Sequence, residues 1–458
     1  MTGNSLIPAD GSDAAERKET RVLFIYGLAP RIPQAAARAA APLTEVYGFG
    51  RFASHIETAV PLLPHVVADK VVEASRLGLS GKCLDALCDE VRFLVFGTPR
   101  GDLTLAVDAI LRTGSAARDV AALVADSCFR RYALTIDDQP VMEWLAEVVD
   151  PAGRAGVGQL AFGRDVHQCV FPGGRLRAEI IADAQRSDGS GRAAAEIIYR
   201  GTLNFAAGRA VIYKPEPLNV TGHTVTCHGR GVSVVAGWSE AVENTFGIAA
   251  VALVSALGVL YRARRDAFAA MEENQYASMT SIGDARALIS DLSARLNELQ
   301  LDLSFGVEAY VDSVLIPELI IESFQGSLVS AFKLQEGLDN TSRMLQRLGS
   351  VIDARLSSLQ TAVQARDERR SRIFSTAIAV GTVLALPPTL LLSFFGANAT
   401  QVDPTRSMFD MDRYWRAYAL AWVPFVLLLI LIFCAQRLLG RADRIPAQPG
   451  PANPDGKD

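Results

Sequence analysis

The sequence predicts an α/β (α+β) N-terminal domain at residues 21–240, a helical region at 241–337 leading to a long stalk helix at 338–372, and two C-terminal transmembrane helices at 373–398 and 414–437. Three observations carry this. Strand-like and helix-like pieces alternate up to about residue 240. Beyond it the strand signals vanish while helical periodicity continues. Near the end, two stretches without a charged residue follow one another, 23 positions at 373–395 and 20 positions at 417–436.

A chain of 458 residues has room for two or three folding units. Half of the residues are hydrophobic and the mean hydropathy is +0.20, high for a purely soluble protein. A net charge of -5 leaves no polybasic field that would argue for nucleic acid. Cys83, Cys88, Cys128, Cys169, Cys227 and Cys434 are too dispersed for a disulfide framework and suit a reducing compartment. Residues 1–20 are polar and expected to be disordered, as is the tail at 438–458. The first apolar run, Val22-Leu23-Phe24-Ile25-Tyr26, is strand-sized and ends at Gly27, unlike an export signal. The N-terminal region is therefore expected in the cytoplasm.

Within the first domain, residues 21–26, 90–96, 194–199, 210–213 and 231–236 read as strands, rich in Val, Ile, Phe and Tyr and ended by Gly or Pro. Residues 62–74, 82–89, 102–111 and 116–128 read as helices. Gly- and Pro-rich pieces at 151–163 and 171–175 read as loops.

In the helical region, residues 246–261 are uncharged and are followed by Arg262, Arg264 and Arg265. Sixteen residues are short for a span, and an odd number of spans would put the N-terminal region outside. The stretch reads as a buried amphipathic helix. Further on, Leu345, Leu348, Ile352, Leu356, Leu359 and Val363 fall at spacings of 3 and 4 and make one apolar stripe. No proline interrupts 338–386, so this helix is expected to run unbroken into the membrane. Its stripe needs a partner, in its own domain or on other subunits.

At about 1.5 Å per residue, the first uncharged stretch spans roughly 34 Å, enough for a hydrocarbon core of about 30 Å. Arg366, Arg369, Arg370 and Arg372 precede it, and Arg437, Arg441 and Arg444 follow the second stretch. The turn between, with the external loop at 399–413, mixes Arg406, Arg413 and Arg416 with Asp403, Asp410 and Asp412. The basic excess on the outer flanks predicts both termini on the cytoplasmic side, and the expected location is the plasma (inner) membrane, as a multi-pass protein. Tyr414, Trp415, Tyr418 and Trp422 supply an interfacial aromatic belt.

The first span closes on Pro387-Pro388-Thr389-Leu390-Leu391-Leu392-Ser393-Phe394-Phe395-Gly396-Ala397-Asn398. This resembles the CorA-type divalent metal cation transporter superfamily. There the first span ends in an aromatic residue followed by Gly-Met-Asn, with a Pro-x-Thr one to three turns earlier, and a second span follows a short external loop. The matching positions are Pro387, Thr389, Phe395, Gly396 and Asn398. Ala397 stands where the family has Met, a residue that varies among branches of the superfamily, including the zinc-transporting one. The resemblance covers about residues 338–440, and the order of parts upstream is similar. It implies a homo-oligomer, a pentamer in the family, seated in a lipid bilayer. It also implies a pore entrance at Gly396, Ala397 and Asn398, a metal-sensing cytoplasmic domain, and no cofactor beyond the transported divalent cation.

The chemistry suits a hydrated ion. Mg²⁺ gives up water reluctantly, so a ring of uncharged Asn398 oxygens would bind its hydration shell, and Gly396 would let backbones approach closely. Ser375, Thr382, Thr389 and Gly396 recur every seven residues, with Ser393 nearby, and share a face that could line a pore. The competing reading is that these hydroxyls bond back to their own helix and that small residues serve helix packing. Pro387 and Pro388 are expected to kink the helix. Asp403, Asp410 and Asp412 either attract cations to the mouth or belong to an ordinary solvated loop.

Other signals point to structure rather than chemistry. His223, Cys227 and His228 lack the fourth ligand of a closed zinc site. Cys83 and Cys88 read as small core residues, and Ser80-Gly81-Lys82 lacks the upstream Gly of a phosphate loop. Glu308, Asp312, Glu318 and Glu322 take no assigned role. No enzyme is expected. The rival function is a non-conducting, membrane-anchored metal sensor or scaffold that keeps the hairpin, and a third is proton-coupled efflux.

Overall fold

The computed structural model describes residues 18–32, 41–59, 63–79, 82–150, 159–185, 192–201, 212–276, 282–312, 315–396, 405, 407 and 409–442, with side chains at all but 82–83, 275–276, 394 and 431–442. The chain divides into two units, Met1–Ala354 and Arg355–Asp458.

The first unit opens with β1 (Thr20–Ala29), the short helices α1 (Leu43–Val46) and α2 (Ala53–Ala59), and strands β2 (His65–Glu73), β3 (Leu77–Leu79), β4 (Lys82–Cys83), β5 (Cys88–Gly97) and β6 (Leu103–Leu111). Helix α3 (Ala117–Phe129), strands β7 (Leu134–Ile136) and β8 (Gln139–Pro140), and α4 (Val141–Val149) come next. Strand β9 (Ala161–Phe171), helices α5 (Gly174–Gln185) and α6 (Arg192–Ile198), and strands β10 (Val225–His228) and β11 (Val232–Ala236) complete the mixed part. Helices α7 (Glu240–Tyr276), α8 (Ile282–Leu303), α9 (Ala309–Val311) and α10 (Leu319–Phe332) follow. Helix α11 (Leu334–Gly396) leaves the first unit and belongs from Arg355 onward to the second, where α12 (Met411–Ala442) follows it.

Seven strands form one sheet in the order β10-β11-β9-β1-β6-β5-β2, antiparallel throughout except where β11 runs parallel to β9. A smaller sheet orders β4-β3-β7-β8. Side chains along a strand alternate between faces, so a strand covered on both sides must be apolar throughout. Strand β1 fits this: Val22, Phe24 and Tyr26 join a core with α3, α4, α5 and α6, while Leu23 and Ile25 join one with α7, α10 and the start of α11.

Several local expectations are corrected. Residues 62–74, expected helical, contain β2, whose Val66-Val67 and Val71-Val72 are β-branched and which pairs with β5. Residues 102–111, also expected helical, are β6, held between β1 and β5; pairing on both edges overrides the helical preference of Ala and Leu. Residues 82–89 are β4, a turn and the start of β5 rather than a helix. Residues 194–199, expected as a strand, lie in and just beyond α6, where Ala193-Ala194-Ala195 favours helix. Of the expected strand 210–213, Tyr213 pairs with His228 as an isolated bridge, and 210–211 lie outside the described residues. The expected loop at 151–163 ends inside β9, with 151–158 outside the described residues, and that at 171–175 is a two-residue link before α5.

Residues 246–261 lie inside the 37-residue α7. From Phe246 to Ala256 every residue is buried, so the helix has no polar face there and is not amphipathic. Among the described residues two helices are long and apolar enough to cross a membrane, Glu240–Asn274 and Leu334–Ser393. The most apolar window of the first is 78% buried inside its unit, that of the second only 11%. The first is thus the core helix under the sheet, and the second carries its apolar surface uncovered. Along α11, Leu345, Leu348 and Ile352 are buried, whereas Leu356 is exposed and Leu359 and Val363 are half-buried.

Candidate functional site

The site singled out by the sequence is the C-terminal part of α11. Its described large apolar residues Ile373, Phe374, Ile378, Leu384, Leu386, Leu390 and Leu392 are exposed. Monomeric soluble proteins rarely show a contiguous apolar patch of more than a few hundred Å². The covered residues form one stripe, with Val383, Pro387 and Leu391 buried at four-residue spacing and Thr376, Val380 and Phe395 half-buried on the same side. On α12 the covered positions are Tyr414 and Ala421, flanked by half-buried Ala417, Tyr418, Phe425 and Leu429. The Phe395 ring meets Tyr414 edge-on at 5.1 Å and Tyr418 at 6.4 Å, which ties the two helices together near the motif.

Ser375, Thr382, Thr389, Ser393 and Gly396 are all exposed. With roughly 100° of rotation per residue, their stripe lies about 100° or more around the axis from the face that meets α12. The Thr382 hydroxyl donates to the Ile378 carbonyl at 2.9 Å, and the Thr389 hydroxyl donates to the Ala385 carbonyl. Back-bonding of this kind was one of the two readings of these residues. Each hydroxyl oxygen keeps its lone pairs, and a lone pair is what a cation or its water shell takes. Among the described residues beyond its own helix turn and chain neighbours, nothing lies within 4 Å of a Cβ placed on Gly396. Pro387 and Pro388 lie inside α11, which continues past them to Gly396. Ala397, Asn398, Asp403 and Arg406 lie outside the described residues.

Of the histidine and cysteine group, His223 is exposed on a turn, while Cys227 and His228 are buried on β10. His228 belongs instead to a buried hydrogen-bond chain. The Ser327 hydroxyl on α10 donates to the Phe324 carbonyl at 2.7 Å, so it accepts from His228 Nε2–H at 2.9 Å. His228 Nδ1 is then the acceptor of the Ser233 hydroxyl at 2.7 Å, and Ser233 accepts from His167 Nε2–H at 2.8 Å. His167 Nδ1 is left without a partner among the described residues. Burial drives both imidazoles down to a pKa of about 3, for His167 with help from His228 and Arg200, which keeps both neutral. The chain joins β9, β10 and β11 to α10, the helix just before α11. The sequence reading missed His167, Ser233 and Ser327. Two polar residues, His167 and Gln168, inside the apolar run Val166–Phe171 were the available signal for a buried polar network.

Comparisons of the chain with models of known protein families, with curated proteins and with solved structures found no match.

Proposed function

We propose that this chain is one subunit of a homo-oligomeric, CorA-like divalent-cation channel of the plasma membrane, passing Mg²⁺ or a related ion such as Zn²⁺, Co²⁺ or Ni²⁺. The observation that carries the reading is the hydroxyl stripe Ser375, Thr382 and Thr389, exposed on an apolar helix and turned away from α12. Copies of α11 arranged around an axis, five in the family that the motif resembles, would bury their apolar flanks against neighbours and lipid. The stripe would then face the axis with oxygen lone pairs free. Gly396, Ala397 and Asn398 would form the external mouth, where one neutral amide per subunit holds the hydration shell rather than the bare ion. Flux would follow the concentration gradient and the membrane potential. The basic flanks of the hairpin favour cytoplasmic termini, with the α/β unit on the cytoplasmic side.

The test is flux into liposomes holding the purified protein, with Mg²⁺, Zn²⁺, Co²⁺ and Ni²⁺ imposed in turn. At least one ion should pass, and Asn398→Ala should abolish selective passage. No flux of any of the four would favour the non-conducting sensor, and flux that depends on an imposed pH gradient would favour proton coupling.

A further inference from the structure

A cavity of about 340 Å³ opens where the end of β1 and the starts of β6 and β9 meet α7, entirely within the first unit. Small-molecule sites begin at about 300 Å³. Gly27 and Leu28 of the cavity wall sit where the register of β1 against β9 slips, between Tyr26 and Leu28. There the Gly27 and Gly163 backbones come so close that a Cβ on Gly163 would meet the Gly27 carbonyl at 2.8 Å.

The wall is basic. Arg31, Arg164, Arg262 and Arg265 line it, against only Asp102 and Asp165. Arg262 is fixed by Asp102 and Asp302, and Arg31 by Asp302. Arg265 meets the exposed Asp266 at 3.0 Å. Arg164 forms no ion pair among the described residues and lies over the Tyr261 ring at 5.4 Å. Burial and then the neighbouring Arg31 cation press the Arg262 guanidinium below its ordinary range despite its carboxylate partners.

Three wall atoms are buried without a partner among the described residues: Thr104 Oγ1, Ser255 Oγ and Arg31 Nε. Thr104 and Ser255 are 1% and 4% exposed. Buried polar atoms are rarely left unpaired, and two such hydroxyls beside a surplus of guanidinium mark a place that an anionic acceptor fills.

We propose that this cavity binds a small organic phosphate, its phosphoryl oxygens taken by Arg164, Arg265 and the Thr104 and Ser255 hydroxyls, and its body resting on Leu28, Leu103 and Val259. A phosphoryl group brings three acceptor oxygens and about 1.5 to 2 negative charges. Each carboxylate, including each of the three that citrate spreads over separate carbons, presents two oxygens and one charge, fewer at any one point than a phosphoryl group gathers. The site does not depend on the transport reading.

The test is calorimetric titration of the full chain in detergent at fixed ionic strength, with inorganic phosphate, pyrophosphate, ADP and citrate as probes. Pyrophosphate and ADP should bind saturably, and citrate at least tenfold more weakly. Thr104→Val, nearly isosteric, should weaken binding tenfold or more while leaving the thermal midpoint of the ligand-free protein unchanged or raised, because it removes an unpaired buried hydroxyl. Arg164→Gln, at an exposed position, should weaken binding at least as much. The proposal is overturned if neither pyrophosphate nor ADP binds, if both variants bind like the parent, or if citrate binds as tightly as pyrophosphate.

Discussion

Replacing Ser233 by Ala tests the buried histidine chain. The Ser233 hydroxyl serves two imidazoles at once, at 2.8 Å from His167 Nε2 and 2.7 Å from His228 Nδ1. Its loss leaves one buried donor and one buried acceptor unpaired, and each such group costs about 1–3 kcal/mol, roughly 2–6 kcal/mol together. Ser327→Ala orphans only His228 Nε2–H, so roughly half that cost is expected. The reporters are Cys169 on β9 and Cys227 on β10, both buried free thiols beside the chain. Pulsed thiol labelling read by peptide mass spectrometry gives the free energy of opening at each. Ser233→Ala should speed labelling of both by about thirtyfold or more, since 1.4 kcal/mol is about a factor of ten. A change below fivefold, or a larger effect from Ser327→Ala than from Ser233→Ala, refutes the shared-hydroxyl geometry.

The same chain predicts acid sensitivity. Both imidazoles stay neutral in the fold, with pKa about 3, against about 6.5 in an unfolded chain. Below pH 6.5 the unfolded chain therefore binds protons that the folded one refuses. Stability is fully present above about pH 6.5 and is lost as pH falls towards 3, by about 2 kcal/mol per histidine at pH 5. Urea midpoints at pH 7.5 and 5.0 should show this dependence, and a His167→Gln/His228→Gln double variant should remove most of it. Arg21, 3% exposed, donates to Asp108 through Nε at 2.8 Å and Nη2 at 2.6 Å; Arg21→Met should cost about 3–5 kcal/mol by taking the cation from a carboxylate that keeps the Tyr47 hydroxyl at 3.0 Å. Adding Asp108→Leu should recover part of that loss in the same urea titration. Gly237 has φ +90, and a Cβ there would lie 2.0 Å from the His223 carbonyl, so Gly237→Ala should lower the urea midpoint by at least about 1–3 kcal/mol equivalent.

Strand β1 was legible because Val22 to Tyr26 is a bounded run of β-branched and aromatic residues. Strand β6 was not. Leu103, Leu105, Val107, Ala109 and Leu111 face one core, while Ala106 faces the other, so Ala106 and the exposed Ile110 break the apolar-polar alternation that Thr104 and Asp108 would otherwise mark. Its Leu and Ala then look helical, and only the pairing partners β1 and β5 decide. Strand β9 was hidden by Arg164 and Asp165, which line the basic cavity, by His167 of the histidine chain, and by Gln168, whose amide donates to the Val124 carbonyl and the Ser127 hydroxyl on α3. Both of those sites join residues scattered across the sequence, as 167, 228, 233 and 327 are, and spacing says nothing about such meetings. The seven-residue repeat of α11 was visible from spacing alone. Which face α12 covers was not, because periodicity groups residues on a helix without saying what lies opposite.

The central claim is that several copies of α11 gather around one axis, with the Thr389 stripe facing it. The mass of the detergent-solubilised assembly tests it most directly. Five subunits of 49.2 kDa predict about 246 kDa of protein. A species of 49.2 kDa, one chain alone, would contradict the claim, because a single α11 has no axis to enclose.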